Sequence, residues 1–431
     1  MRITIVGAGP TGLFCAIALG RRGHRIQVID RDAGPPGSGL WRRRGVMQLH
    51  HAHTFRVPVV DALEAEMPEV LDDLVSRAAT VARADDGRPV ALLCRRAMFD
   101  AVLRRHAEAT PGVLLRSAAV GMLTGPAGRV LADDVPVDAD LILDATGRSG
   151  RITGGHRGVT HDCGAVYVTR QYRLRTAFRP PTNSPIGLSL QLGGYIAIAF
   201  LHDGGTFSVT IIHDGSDRRL RELRHADVFE RAVRAIPQLG AWTTTSTAVP
   251  ITPVLAGGRL YNAYRGQPVL PRVIAVGDAV CTTTPLAGRG VALALRQARE
   301  LVDLIGSGPR TDTDIGLVRS RFEAWCETAI KPWFDDQVYA DAHRLRRWAG
   351  AGIDFAARLP SDLITAAAAR EPALAPLIGA YERMDALPDT LAAAEPSARA
   401  VYAGGWRAPV APGPTRAELG AMCAGAAARI A

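Results

Sequence analysis

The chain has 431 residues, 47% of them hydrophobic, and a formal net charge of +9. That length exceeds one ordinary core and implies two interleaved domains plus a helical extension, large enough to enclose a water-excluding pocket. No run of about eighteen apolar residues is present to span a bilayer, and the positive charge is scattered arginine, with Lys331 the single lysine, in place of a basic block or a nucleic-acid motif.

The six cysteines, at 15, 94, 163, 281, 326 and 423, show neither metal-site spacing nor a disulfide framework and read as reduced, mostly buried thiols. Met1 and Arg2 run directly into an apolar stretch with no room for a signal segment, so a cytoplasmic location is expected. The first residues read strand (2–6), glycine turn (7–12), helix (13–22) and strand (25–30), a βαβ opening. A loop rich in Gly and Pro (33–39) leads through segment 41–56 to short helices near 57–66 and 68–78. A helix is expected over 97–107 and a buried strand over 139–143, ending at Asp144.

From residue 164 to 213 the pattern turns β-rich with alternating faces at 166–174, 187–192, 195–201 and 206–212, which predicts an inserted antiparallel sheet. A helix near 218–236 follows, and 271–276 returns to the short apolar strand type of the first domain. Beyond Leu304 the chain is helical and finally Ala-rich. The fold expected is α/β: a Rossmann-like nucleotide domain in two parts (1–160 and 256–305), an inserted antiparallel substrate domain (161–255) and a helical C-terminal region (306–431).

Gly7-Ala8-Gly9-Pro10-Thr11-Gly12 sits between a strand and a helix. The first glycine permits the tight turn, the second close phosphate approach and the third helix packing, with the pyrophosphate on the helix N-terminus. Asp30, about twenty residues on, ends the second strand where a carboxylate accepts from an adenosine ribose. These residues specify a dinucleotide without separating FAD from NAD.

The segment from Val273 through Gly277-Asp278, Pro285, Gly288 and Gly290, followed by a helical run from Val291, decides between them. It resembles the GD motif of flavoprotein monooxygenases related to aromatic hydroxylases, in which the Asp contacts the ribityl chain. Arg42-Arg43-Arg44-Gly45 is similar to that family's arginine segment beside the flavin, and Arg95-Arg96 before Phe99 to its Arg ahead of a helix. The resemblance spans residues 2 to about 304 and implies FAD as cofactor, with Arg31, Arg43 and Arg96 as further contacts; Arg44 or Arg95 replaces either of the last two on a shift of one residue. A helix starting near Gly290 would aim backbone N–H groups of Gly288 to Val291 at the pyrimidine edge, where a reduced flavin carries negative charge.

The family carries Asp-Gly after the strand that ends at Asp144, but here the chain reads Ala145-Thr146-Gly147. Because that Asp-Gly pair is associated with nicotinamide use, the electron source is left open between NAD(P)H and a separate flavin reductase, as in styrene and indole epoxidases. His51 and His53 follow the arginine segment and are the candidates for proton handling or substrate orientation; no metal site is expected from the cluster at 50, 51 and 53. Arg170, Tyr172 and Gln191, on the alternating strands, are the substrate candidates.

The activity implied is monooxygenation, hydroxylating or epoxidising an apolar or aromatic small molecule with dioxygen through a flavin C4a-hydroperoxide. A geranylgeranyl-reductase-like alkene reductase, which shares the Asp-Ala-Thr-Gly style of segment, is the rival, and a non-catalytic flavin-binding protein a further one. Flavin-dependent halogenases share the scaffold but use a lysine between flavin and substrate, and no lysine precedes Lys331.

Overall fold

The apolar strand Arg2–Val6 pairs in parallel with Arg25–Asp30, the two joined through the helix Pro10–Arg21. Val113–Ser117 adds outside Arg25–Asp30; Leu141–Asp144 and then Val273–Ala275 add on the other side of the first strand. All five strands are parallel, and the direction of winding reverses between Arg2–Val6 and Leu141–Asp144. Open α/β sheets bind ligands beyond the strand carboxyl ends at such a switch point. This computed structural model describes residues 1–37, 39–121, 130–150, 152, 158–175, 180–258, 260–306 and 314–430.

The first helix is buried continuously from Leu13 to Gly20, because it is wedged between the sheet and the helices Arg96–Ala109 and Gly290–Ile305. Each buried Leu, Ile or Phe in such a position contributes about 1.5–3 kcal/mol. Gly20 is needed for the fit: a Cβ there would lie 2.7 Å from a Val113 methyl.

The second sheet is antiparallel, in the order Gly187–Leu192, Tyr195–Leu201, Thr206–Asp214, Ala165–Leu174, Ala248–Pro250. One face packs on the helices Ala226–Ala235 and Pro237–Thr243 through Tyr172, Phe207, Val209, Phe229 and Trp242. The other face is the floor of a cavity.

The helix expected over 218–236 is broken. Arg218–Arg224 is a 3₁₀ stretch, capped by the Asp217 side chain on Arg219 N, and His225 is extended before the α-helix starts at Ala226. The stretch buries only Leu220 and Leu223, and a spacing of three suits the three-residue turn of that helix type. Among the described residues three small sheets and the edge strand Val113–Ser117 have no counterpart in the sequence reading; the small sheets are Phe55–Arg56 with Pro89–Leu93 and Thr80–Arg83, Gly158–Asp162 with Tyr261–Arg265 and Cys281–Thr282, and the hairpin Val130–Ala132 with Val135–Val137. Among the described residues no helix is long and apolar enough to cross a membrane.

The C-terminal helix Lys331–Trp348 is tied to the nucleotide domain by the buried carboxylate of Asp341. It accepts from Asn262 Nδ2 (2.8 Å), Thr284 Oγ1 (2.9 Å), Gln337 Nε2 (2.8 Å) and Arg344 Nη2 (2.5 Å), while Asn262 Oδ1 takes the Thr284 N–H at 2.8 Å. The loop before helix Gly290–Ile305 is thereby held from behind. Replacing Asp341→Ala strands the Arg344 cation and three donors, so a loss of about 3–5 kcal/mol is expected. Urea unfolding followed by circular dichroism checks this, and a loss below about 1 kcal/mol contradicts it.

Candidate functional site

At the switch point the backbone itself sets the geometry. Gly7 has φ +112°, and a Cβ there would lie 2.3 Å from the Ala145 carbonyl oxygen; a Cβ on Gly12 would lie 1.9 Å from the Gly7 carbonyl oxygen. Gly9 differs, since a Cβ there meets no protein atom within 4 Å. It faces a cavity of about 1410 Å³ lined by Gly7, Gly9, Pro10 and Thr11 at one end. The first helix starts at Pro10 with no side-chain cap and no acidic residue in its first turn, so its free N–H groups and positive dipole end are left for an anion. The three glycines thus fit a pyrophosphate.

Asp30 also lines the cavity. One carboxylate oxygen accepts from Ala8 N (2.6 Å) and from Arg43 Nη2 (2.8 Å), the other from Asp32 N (2.8 Å). Arg43 reaches on to the Ala8 carbonyl (3.0 Å) and to Asp100 (3.1 Å), whose second oxygen takes Arg96 Nε at 2.5 Å. Arg43 and Arg96, both on the cavity wall, therefore share the fully buried carboxylate of Asp100. Arg95 instead turns away to Asp203, which resolves that register; Arg44 lines the cavity beside Arg43. Asp100 escaped the sequence reading, although its place four residues after Arg96 on a helix is the signal for it. Arg31 lines the cavity as well and covers Gly45, where a Cβ would lie 2.1 Å from its guanidinium.

The far side of this end is built by the second part of the motif. Asp278, Pro285, Gly288, Gly290 and Val291 line the cavity. Gly277 does not: its φ of +72° makes the turn, its N–H is held by Gln297 Oε1 at 3.0 Å, and a Cβ would lie 2.7 Å from Thr11 Oγ1. It packs the two glycine turns together beneath the site. Burial raises the Asp278 carboxyl to about 6, against the opposing pull of Arg96, Arg148 and Arg265. The helix Gly290–Ile305 presents an uncapped N-terminus with open space at Gly290. Arg289, between these glycines and also on the cavity wall, pairs with Asp336 (2.9 Å), its guanidinium 4.7 Å from the ring centres of both Trp333 and Tyr381.

Beyond it the cavity runs over the antiparallel sheet. The register aligns Gln191, Ile196, Ile212 and Tyr167 in one row, and Ser189, Ile198, Thr210 and Thr169 in the next. All eight residues line the cavity, with Trp348, Leu260 and Leu286 among its other walls. Period-two alternation puts Arg170 and Tyr172 on the opposite face; Arg170 pairs with Glu230 (2.8 Å) and the Tyr172 hydroxyl donates to the same carboxylate (2.7 Å). The substrate roles expected of Arg170 and Tyr172 are thereby corrected, because both are spent anchoring the sheet to helix Ala226–Ala235. Gln191 does reach the cavity, at a rim where the C-terminal segment closes in: Ala411 N donates to the Gln191 carbonyl (2.8 Å), and Ala408 and Val410 line the mouth.

His51 and His53 lie between the two ends and both face the cavity, whereas His50 turns to the Trp41 carbonyl. His51 Nδ1 meets Thr169 Oγ1 at 3.0 Å, and Thr169 meets Thr210 Oγ1 at 2.9 Å. His53 Nδ1 is 3.1 Å from the His51 carbonyl, a contact that only an N–H satisfies, so Nε2 is left as the acceptor. Burial pushes His51 down to about 4 and His53 to about 3, with nearby positive groups adding to it. Among the described residues no group of three metal-ligating side chains forms.

Residues 5–63 match the family model of the NAD(P)-binding Rossmann-like domain. No curated protein matches the chain. Solved structures share the fold across most of it. A triple mutant of the flavin-dependent brominase Bmp2 is 15% identical, covering 93% of this chain and 99% of its own with a TM-score of 0.66. PqsL, a probable FAD-dependent monooxygenase from Pseudomonas aeruginosa, is 15% identical over 81% of this chain and 100% of its own, TM-score 0.62. The tetrameric form of 2-methyl-3-hydroxypyridine-5-carboxylic acid oxygenase is 16% identical over 81% and 91%, TM-score 0.57. The fold is that of FAD-dependent monooxygenases and flavin-dependent halogenases.

Two outcomes are expected from this geometry. Gly9→Val places its side chain in the empty end of the cavity, so FAD affinity falls at least about a hundredfold, roughly 2.7 kcal/mol, while the melting temperature is unchanged; flavin fluorescence titration and a thermal scan check the pair. The histidine pKa values are depressed in the fold, so their contribution to stability is complete above the unfolded value near 6.5 and is lost as pH falls from there towards 4 and 3, as the unfolded chain takes up protons first. The melting temperature should therefore drop between pH 7.5 and 5, and drop less in His53→Gln.

Proposed function

We propose that the chain is an FAD-dependent monooxygenase that hydroxylates or epoxidises an apolar or aromatic small molecule. The observation that carries this reading is the continuity of the cavity. One volume joins a pyrophosphate cradle at Gly9 to a sheet floor of Ile196, Ile198, Ile212 and Tyr167, with the N-terminus of helix Gly290–Ile305 at the junction. At about 1410 Å³ it exceeds the range of about 300–1,000 Å³ typical of a single small-molecule pocket, leaving room for cofactor and substrate together.

In this reading Gly7, Gly9 and the first helix hold the pyrophosphate, Asp30 the ribose, and Asp278 the ribityl chain. Arg31, Arg43 and Arg96 line the same stretch, while Pro285, Gly288, Gly290 and Val291 frame the isoalloxazine. When bound, the reduced flavin supplies two electrons to dioxygen, so that one oxygen atom enters the substrate and the other leaves as water after taking up two protons. The amides of Arg289 to Val291 favour negative charge without a titrating side chain, the Gly288 N–H being taken by the Pro285 carbonyl at 2.9 Å. His53 Nε2 and His51, neutral near pH 7, can orient a donor group or pass a proton along Thr169 and Thr210. Gln191, Ser189 and Thr210 offer the sparse polar contacts that orient a mostly apolar ligand.

Thr146 turns its hydroxyl inward to Asp144 Oδ1 at 2.6 Å. Whether NAD(P)H reduces the flavin directly is decided by adding it anaerobically to the oxidised protein, against a parallel sample with a flavin reductase. Lys331 stands exposed, paired with Asp335, away from the cavity, so the lysine used by halogenases has no equivalent on the wall.

Reduced FAD, dioxygen and a panel of indoles, styrenes and phenols should yield a product heavier by one oxygen atom in mass spectrometry, with label from ¹⁸O₂. Bromide in the assay should leave the product unbrominated. A product gaining two hydrogens without dioxygen establishes the alkene-reductase reading instead.

A further inference from the structure

We infer that Arg56 is the positioning residue that sets the reduction potential of the bound flavin, an inference resting on the flavoprotein reading above. Arg56 closes the short strand Phe55–Arg56 and caps the helix Val57–Glu66. Its side chain lines the cavity. Nε donates to the Ala287 carbonyl and Nη1 to the Glu382 carbonyl, each at 3.1 Å, and a Cβ on Gly288 would sit 3.7 Å from Nε.

Both acceptors are neutral. Among the described residues no carboxylate lies within ion-pair distance of Arg56, whereas Arg43, Arg96, Arg289, Arg344 and Arg347 on the same wall are paired with Asp30 and Asp100, Asp100, Asp336, Asp341 and Asp362. The environment also works against its charge. Burial lowers its pKa and the neighbouring Arg289 repels it, offset in part by Glu382 and Tyr381. A guanidinium stays protonated under such pressure, so the site holds a cation without an ion-pair partner, its charge offset only in part by the Glu382 carboxylate.

Its place says which anion completes it. Arg56 is bonded to the loop residue Ala287, directly before the glycine turn that aims the N–H groups of helix Gly290–Ile305 into the cavity. A flavin at that helix end is neutral when oxidised, and on taking up two electrons and one proton it carries one negative charge at its pyrimidine edge. A fixed cation without an ion-pair partner beside that edge favours the reduced form over the oxidised one, and a difference in affinity between two states is a shift of their equilibrium. Arg56 and the helix terminus act together: the helix supplies partial charges, and Arg56 a full charge bonded to the Pro285–Ala287 turn with no ion-pair partner among the described residues.

The test uses FAD-loaded wild type, Arg56→Gln and Arg56→Lys, with the midpoint potential measured by reductive titration against indicator dyes. Arg56→Gln should bind oxidised FAD within roughly twofold of wild type, yet lose about tenfold in preference for reduced over oxidised flavin, a potential more negative by about 30 mV for a two-electron couple. Arg56→Lys, which keeps the charge, should recover most of that loss. In the wild type, reduced flavin should keep the absorbance of the anion at a pH where free reduced FAD in the same buffer is already neutral. An Arg56→Gln protein that holds FAD with an unmoved potential overturns the inference and leaves the flavoprotein reading intact. Neutral reduced flavin in the wild type at pH 7 also overturns it, whatever the variants do. A wild type that takes up no FAD overturns the reading beneath it.

Discussion

The arrangement depends on one close approach of backbone to backbone. The turn after the first strand and the turn after Leu141–Asp144 come together so tightly that a Cβ on Gly7 would overlap the Ala145 carbonyl, and the first helix leans back on Gly7 so tightly that a Cβ on Gly12 would do the same. No other residue at either place permits the contact without opening the sheet. Once it is made, the strand ends diverge at the point where winding reverses, and the crevice between them is lined by whatever the adjoining turns carry. Asp30 is drawn into it by the Ala8 N–H, and Arg43, Asp100 and Arg96 follow in a chain of charge-assisted hydrogen bonds. Gly277 repeats the device from the far part of the chain by packing on Thr11. Residues separated by some 270 positions thus share one wall because glycine allows their backbones to touch.

The inserted sheet solves a different problem, that of keeping a large cavity open beside a packed core. A strand presents alternate side chains to opposite faces, and here the two faces have separate duties. The outer face is cemented by aromatic packing of Tyr172, Phe207 and Trp242, with ring centroids 5.2 and 5.1 Å apart, and by the Arg170–Glu230 pair. The inner face can then carry isoleucines and threonines that border the cavity, packed only in part by Leu260, Leu286 and Trp348, since stability comes from behind. Asp341 does the same for the opposite wall. By collecting four donors it fixes the loop ahead of helix Gly290–Ile305 from outside the cavity, so the amides that face a ligand stay in place while making no hydrogen bond of their own to other side chains.

Those parts of the fold with strong local signals were readable in advance. The strands 187–192 and 195–201 fall where alternation puts them, bounded by the Gly193-Gly194 turn, and the βαβ opening follows from its glycines. What escaped lacked such a signal. Val113–Ser117 is an edge strand with mixed burial, and Phe55–Arg56 and Cys281–Thr282 are two residues each, too short for a period. In the site, motif residues such as Gly9 and Asp278 do line the cavity, because a fixed local backbone geometry decides where each stands. Arg170 and Tyr172 were misplaced because alternation says that two faces exist without saying which one meets the cavity. Arg56 and Asp341 act through partners far away in sequence, which only tertiary contact reveals, whereas Asp100 had a local signal in its place four residues after Arg96.

A chain whose basic residues are arginine but for Lys331 also restricts the chemistry its cavity can perform. Arginine keeps its proton when buried, binds planar acceptors and carries fixed positive charge, but it does not serve as a titrating acid or base. Lysine, which loses its proton readily on burial, is absent from the cavity wall. Groups on the cavity wall shifted by burial include the Asp278 carboxyl, lifted to about 6, the Asp362 carboxyl, also raised, and the imidazoles of His51 and His53, held neutral. Asp278 stands at the cofactor end, and the imidazoles stand where the cavity meets the sheet, in contact with the hydroxyls of Thr169 and Thr210. In the oxygenase reading proposed above, fixed charge at one end and neutral, hydrogen-bonding groups at the other would divide the labour: the first would favour electron-rich cofactor states, and the second would leave an uncharged substrate undisturbed while a proton moves.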